Sequence, residues 1–300
     1  MTEVVQVIVN GLSVGAFYAL VALGYSMVYG IIKLLNFAHG DIYMLGAFIG
    51  FVALASITAY LPLGTAGALV VVTVLAALLT GLIGVGIERV AYRPIRSAPR
   101  LSLLITAVGA SFALEYGVRL WKGPSPIAYP AQITGGSLTA GGVTITAGRL
   151  TIIVLAAALM AALAWYISKT RDGRAMRAIA LDAKAAALMG VNVDRTISLV
   201  FFIGSALAGV AGVMAGAVYG TIDFLMGFII GIKAFTAAVI GGIGNLHGAM
   251  LGGLLLGLLE AFGSHWLGGQ WRDVFSFICL IVFLSVRPTG LLGKRVVERM

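Results

Sequence analysis

Long apolar runs separated by short polar stretches set the plan of the chain. A bilayer-crossing helix needs about 20 mainly apolar residues. Runs at 4–32, 42–60, 66–87, 101–121, 150–167, 196–219, 228–243, 249–262 and 274–286 predict nine spans, with eight or ten also compatible. The last few are short, and the run from Ala249 also fits a re-entrant or broken segment. The pattern predicts an all-α polytopic membrane protein of 8–10 transmembrane helices, one domain over 1–300.

Two interruptions are longer than a turn. Residues 122–149 are rich in Gly and Pro, with Gly135-Gly136 and Gly141-Gly142 between short alternating stretches. They predict a small β-hairpin, with a flexible loop as the alternative. Residues 169–195 are basic and helix-prone. Arg174 to Met189 is Ala-rich, Gly190 is a natural helix stop, and Asp182 can cap a second short helix. Asp194 is placed to cap the sixth span in the same way. Met176, Ile179, Ala183 and Ala187 share a face, with Arg174, Arg177 and Lys184 elsewhere on the surface. Such a helix either rests on anionic headgroups or docks, as a coupling helix, in a groove on a cytoplasmic motor.

Composition narrows the class. The 300 residues are 60% hydrophobic and 10% charged, against about 25% charged in soluble domains. Too little polar surface remains to cover a water-facing globule. The net charge of +9 resides in loops, so it carries no nucleic-acid signal. Arg89, Arg93, Arg96 and Arg100 form one basic cluster. Lys169, Arg171, Arg174, Arg177, Lys184 and Arg195 form a second, and Arg287, Lys294, Arg295 and Arg299 a third. The positive-inside rule puts these and Lys33 in the cytoplasm and 122–149 outside. Span parity then leaves the N-terminus outside and the C-terminus inside. The N-terminus lacks a basic n-region and reads as a span, not a cleaved signal.

Enzyme chemistry finds no foothold. The single Cys279 excludes intrachain disulfides and C-x-x-C metal sites. No H-E-x-x-H or G-x-S-x-G occurs. Gly290-Leu-Leu-Gly293-Lys294 has the wrong spacing for a P-loop. The sequence therefore predicts no catalytic residues, no metal site and no cofactor bound by this chain.

Polar and small residues within the spans are the remaining signals. Gly204, Ala208, Gly212, Gly216 and Gly220 fall on one helix face, as do Gly11, Gly15 and Ala19, and Gly248 and Gly252. They predict close helix packing, or a surface that rocks during transport. Intramembrane ionisable residues are costly and need a reason. Glu115 and Arg119, four apart, are placed to pair. Lys233 lines a pathway, snorkels outward or pairs with Asp223. Asn36, His39 and Asp41 lie in NFAHGD, where the apolar run breaks at Gly40. They line a transport path or form a cytoplasmic-side turn. Glu260 and His265 contact a delivering protein or face water. Asn36-Phe-Ala-His39-Gly40 and Arg93-Pro94 are echoed by Asn245-Leu-His247-Gly248 and Arg287-Pro288, as in a parallel repeat.

ALDAKAAALMG followed by NVDRTISL resembles the cytoplasmic loop of ABC importer permeases, E-A-A-x-x-x-G and then I-x-L. Lys184-Ala185-Ala186 and Gly190 keep the spacing, Lys stands where Glu is usual, and Ile197-x-Leu199 comes early. NGLSVGAFYALVALGYSMVYGIIKLLNFAHGDIYMLGAF, GIKAFTAAVIGGIGNLHGAMLGGLLLG and VRPTGLLGK resemble permeases of branched-chain amino-acid ABC importers, the LivH type. The likeness spans essentially the whole chain, with His247 a departure where Pro is more usual.

The resemblance implies an inner-membrane subunit of a larger machine. A periplasmic binding protein would deliver a branched-chain amino acid, or a related urea, amide or aromatic acid. A second related permease would complete the pore, and two cytoplasmic ATPases would bind the ATP. Arg174, Arg177, Asp182, Lys184, Ala185, Ala186, Gly190 and Asp194 would belong to the coupling loop. The alternatives are a self-sufficient secondary transporter or channel for a small polar solute, against which the scarcity of acids deep in the spans counts, and an intramembrane enzyme.

Overall fold

The computed structural model describes residues 2–60, 64–130, 133, 136–287 and 289–293. Gly135, Pro288, Lys294, Arg295 and Arg299, named above, lie outside the described residues, as does the Arg100 side chain. The helices are α1 (Thr2–Ile32), α2 (His39–Tyr60), α3 (Thr65–Ile87), α4 (Arg100–Lys122), α5 (Ala147–Lys169), α6 (Arg171–Leu181), α7 (Ala183–Leu188), α8 (Val193–Tyr219), α9 (Met226–Gly241), α10 (Leu246–Leu267) and α11 (Arg272–Val286). Among the described residues, eight apolar helical segments have membrane-crossing length, and α9 is a shorter apolar ninth. The run from Ala249 is neither broken nor re-entrant, because α10 continues through it.

The expected hairpin is present. β1 (Ile127–Ala128) precedes β2 (Ser137–Ala140) and β3 (Val143–Thr146), and β2 pairs antiparallel with β3. Gly141 and Gly142 join them at φ 58° and 83°, the positive values a two-residue turn needs at both positions. β1 pairs with β4 (Thr221–Ile222) just after α8. Gln6 of α1 accepts a hydrogen bond from Thr144 N and donates one to Thr144 O, at 2.8 and 3.0 Å. This ties the start of α1 to the same end of the bundle. The α5–α8 and α3–α4 connections, with their basic residues, occupy the opposite end.

Backbone contact builds the interior. Gly11 and Gly15 of α1 face Leu258 and Leu254 of α10, and Gly253 and Gly257 face Ala19 and Gly15 in return. A Cβ on Gly15 would lie 2.8 Å from Leu254 Cα, far inside carbon–carbon contact. Small residues permit this approach, which supplies dispersion contact where lipid gives helices no hydrophobic drive to associate. On α8, Gly204 meets Gly24, Gly212 meets the backbone of Tyr43 and Ala47, and Gly216 lies under the Tyr129 ring. Gly220, at the end of the stripe, is buried as well. Its φ of 73° ends α8 in the left-handed conformation, with its N–H donating to Gly216 O, so it serves as a helix stop. Tyr129, in the loop before the hairpin, is buried, and that burial pushes its phenol pKa up.

The turn between α1 and α2 runs into the bundle. Lys33 takes a left-handed φ of 54°, and residues 33–38 leave the helical path. The break therefore precedes His39 instead of falling at Gly40. His39 Nε2 packs beside Gly24, eight residues short of Ile32, or about 12 Å along the α1 axis. Gly40 lies against Gly227 and Gly231 of α9.

Candidate functional site

Three regions carry the polar residues that the sequence brings forward. The first is the α6–α7 hairpin at the basic end. Thr170 caps α6 through Gly173 N, and Asp182 caps α7 through Lys184 N and Ala185 N. Gly190 at φ 85° closes the turn, with Val191 N donating to Ala186 O. Arg177 donates to the Ile167 carbonyl, tethering α6 to the end of α5.

The apolar side of this hairpin does not face outward as a unit. Met176, Ile179 and Ala186 are buried against the chain itself, whereas Ala183 and Ala187 are exposed. The exposed apolar tip is Leu181, Leu188 and Met189, at 90%, 89% and 85% exposure. Helical periodicity does not mark these three, because it picks out the face with most apolar residues and cannot tell which neighbour covers it. Arg174, Lys184 and Ala185 are exposed on the same hairpin.

Asp194 corrects a second expectation. The cap of α8 is Asn192, which accepts from Arg195 N at 3.0 Å. Asp194 instead holds Arg93, and Arg96 at 2.8 Å. Arg96 also reaches Glu88, whose side chain is 1% exposed and accepts from Ser198 at 2.7 Å. Glu88 opens a single π-helical turn (Glu88–Tyr92) that continues α3. Thus the α3–α4 loop and the base of α8 form one ion-paired unit beside the hairpin.

The second region is the NFAHGD turn. Asn36, His39 and Asp41 are all buried. Asn36 Oδ1 accepts from Tyr92 at 2.6 Å, and Asp41 Oδ2 accepts from Ser111 at 2.5 Å. His39 rings edge-on with Tyr25, 4.9 Å between centroids. Among the described residues, Asn36 Nδ2, His39 Nε2 and Asp41 Oδ1 have no hydrogen-bond partner. The echo at Asn245 is a plain cap, its Oδ1 accepting from Gly248 N at the start of α10.

The third region gathers charges at the hairpin end. Lys233, 4% exposed, pairs with Glu260 and with Asp273 at 2.6 Å. Asp223, the partner the sequence offered, instead accepts from Leu225 N in its own turn. Glu260 also accepts from Tyr18, from Ser276 at 3.2 Å and from Arg272 at 3.1 Å. It is buried and saturated, not water-facing, whereas His265 is exposed. Buried charges persist only when paired and hydrogen-bonded, and this cluster joins α1, α9, α10 and α11. The Glu115–Arg119 pair does not form among the described ion pairs. Arg119 lies over the rings of Tyr116 and Phe224, at 5.6 and 5.4 Å.

This is the architecture of a multi-pass helical membrane protein, with one deep turn and a helical hairpin projecting at one end. The family model for the branched-chain amino acid transport system / permease component matches residues 7–284, and the chain belongs to that family. It is 46% identical to the high-affinity branched-chain amino acid transport system permease protein BraD of Pseudomonas aeruginosa, over 98% of this chain and 97% of that protein. It is 44% identical, with the same coverage, to the LivH permease protein of Escherichia coli K12. A solved structure, PsaBC from Streptococcus pneumoniae in complex with Fab, aligns at TM-score 0.46 and 15% identity over 93% of this chain and 91% of that one. That likeness is too low to support an argument. The family is one of transport permeases, not enzymes.

Proposed function

We propose that the chain is the membrane-spanning permease subunit of an ABC importer. Its cargo is a branched-chain amino acid, or a related small amide or acid, handed over by a periplasmic binding protein. It works in the bacterial inner membrane with a second related permease and two cytoplasmic ATPases, and ATP binds on those partners. In this reading the hairpin end is periplasmic, and the N-terminus with it. The basic end and the C-terminus are cytoplasmic, as charge asymmetry requires.

The observation that carries the reading is the α6–α7 tip. Three large apolar side chains stand in solvent at the end of a capped, tethered helical hairpin. An exposed apolar patch on an ordered element marks a protein or membrane contact. On the basic side of the bundle, that contact is the motor. Lys184 adjoins the patch and Arg174 is exposed on the same hairpin, while Arg177, Asp182, Ala186 and Gly190 shape the hairpin and Asp194 braces its neighbour. Asn36, His39, Asp41 and Lys233 belong to the path between the two faces.

The test is co-expression with candidate ATPases, the companion permease and the binding protein. Co-elution, with ATP hydrolysis stimulated by leucine-loaded binding protein, is the expected result. Uptake into vesicles that lack the ATPases, driven by an ion gradient, would instead establish a secondary transporter.

A further inference from the structure

A cavity of about 420 Å³ opens at the hairpin end between α1, the end of α10 and the start of α11. Its volume falls in the range of about 300–1,000 Å³ typical of small-molecule pockets. Val7, Asn10 and Val14 line it from one face of α1, Ala261, Ser264 and His265 from one face of α10, and Arg272 from the start of α11, so apolar and polar groups are mixed around it. A second cavity of about 150 Å³ lies deeper, lined in part by Lys233, Tyr43 and Tyr219. Val14 and Arg272 line both. The two cavities adjoin at these residues, with Arg272 lining both and Lys233 only the second.

We propose that the outer cavity is a subsite for the carboxylate of an aliphatic amino acid on its way into the permease. The inference rests on the importer reading and adds a place within this chain that holds the cargo. Arg272 is the recognising group. Glu260 is already saturated by Tyr18, Lys233 and Ser276, and the bonds of Arg272 to Glu260 and Tyr18 are 3.1–3.4 Å. Charge-assisted bonds run nearer 2.7–2.9 Å, so a ligand carboxylate competes for this guanidinium easily. Ser264 Oγ is buried without a partner among the described residues and lines the same space. Asn10 Oδ1 is committed to Gln6 and Arg149, so what Asn10 offers a ligand is its Nδ2 donors. The valines and Ala261 meet the hydrocarbon tail. From there the carboxylate passes Arg272 toward Lys233.

The test uses the assembled importer in nanodiscs without its binding protein. Saturation-transfer NMR reads binding of L-leucine, of 4-methylvalerate, which keeps the carboxylate, and of isoamylamine, which lacks it. Leucine and 4-methylvalerate should bind, and isoamylamine about tenfold more weakly or worse, as loss of a charge-assisted contact implies. Arg272→Gln should weaken leucine by a similar factor, and Arg272→Lys by less. Should Arg272→Gln fail to assemble, Ser264→Leu decides, since it fills the cavity and leaves the ion pairs intact. Unchanged leucine binding in Ser264→Leu, equal binding of isoamylamine, or no leucine binding to the parent complex overturns the proposal. Uptake with the binding protein added separates the two readings. Import of no amino acid at all defeats the importer reading, whereas leucine import indifferent to Ser264 and Arg272 defeats only the subsite.

Discussion

Replacing Gly15 by Ala tests the α1–α10 contact in its smallest form, a single methyl. The new Cβ would stand 2.8 Å from Leu254 Cα, 2.9 Å from Gly253 O and 3.0 Å from Leu254 O. All three are backbone atoms, so no side chain can rotate away. Carbon atoms pack at about 3.5–4.0 Å, and the helices must therefore part by about 1 Å along a seam where a Cβ added at Gly11, Gly253 or Gly257 would also come within 3 Å of the facing helix. Overpacking of this kind costs about 1–3 kcal/mol. Gly117→Ala on α4 is the matched control, because an added Cβ there meets nothing within 4 Å. Reversible unfolding in mixed micelles, followed by helical circular dichroism, should show a loss of about 1–3 kcal/mol for Gly15→Ala and little change for Gly117→Ala. Equal stability of the two variants would refute the seam as a backbone contact.

Three further outcomes follow from the site geometry. Leu188→Asp with Met189→Asp should leave the subunit folded in the membrane yet abolish ATPase co-purification, whereas Ala186→Asp should loosen the hairpin itself, because Ala186 is buried against its own chain; limited proteolysis near residue 181 separates them. Lys233→Met leaves Glu260 with one fewer cation in a buried site, and loss of one partner of a buried pair costs about 3–5 kcal/mol, readable as a lowered thermal midpoint that Glu260→Gln added in the same chain partly restores. In a Cys279→Ala background, an impermeant thiol reagent applied to intact cells should label a cysteine at Ser137 and spare cysteines at Lys33, Arg93 and Arg177. The reverse pattern overturns the orientation.

The sequence was most legible where structure depends on near neighbours. The apolar runs, the Gly141-Gly142 turn and the Asp182 cap all depend on residues a few positions apart, and each appears as expected. Lys233 shows where that kind of reading stops. Its partner is Glu260, 27 residues away on another helix, while Asp223 was only the nearest acid along the chain. Asp194 fails for a related reason. α8 begins at Val193, so Asp194 lies inside its first turn, Asn192 holds the cap, and the Asp194 carboxylate is left to two arginines from the α3–α4 loop. Leu181, Leu188 and Met189 stand at the tip because Met176 and Ile179 are already covered by the bundle, a fact of tertiary packing that periodicity does not contain.

Helices in this bundle differ widely in length. α3, α4 and α5 each have 23 residues, about 34 Å at 1.5 Å per residue, close to a hydrocarbon core of about 30 Å. α1 has 31 residues and α9 only 16, roughly 46 and 24 Å, yet both are largely enclosed by other helices. A helix wrapped in protein never negotiates with lipid, so its length is free to follow other demands. Membrane thickness therefore bears on the outer helices, among which α11, with 15 residues and mostly exposed, is the short exception. A bilayer made thinner or thicker should tilt α3, α4 and α5 while the short α9, and the deep turn beside it, keep their depth relative to α1.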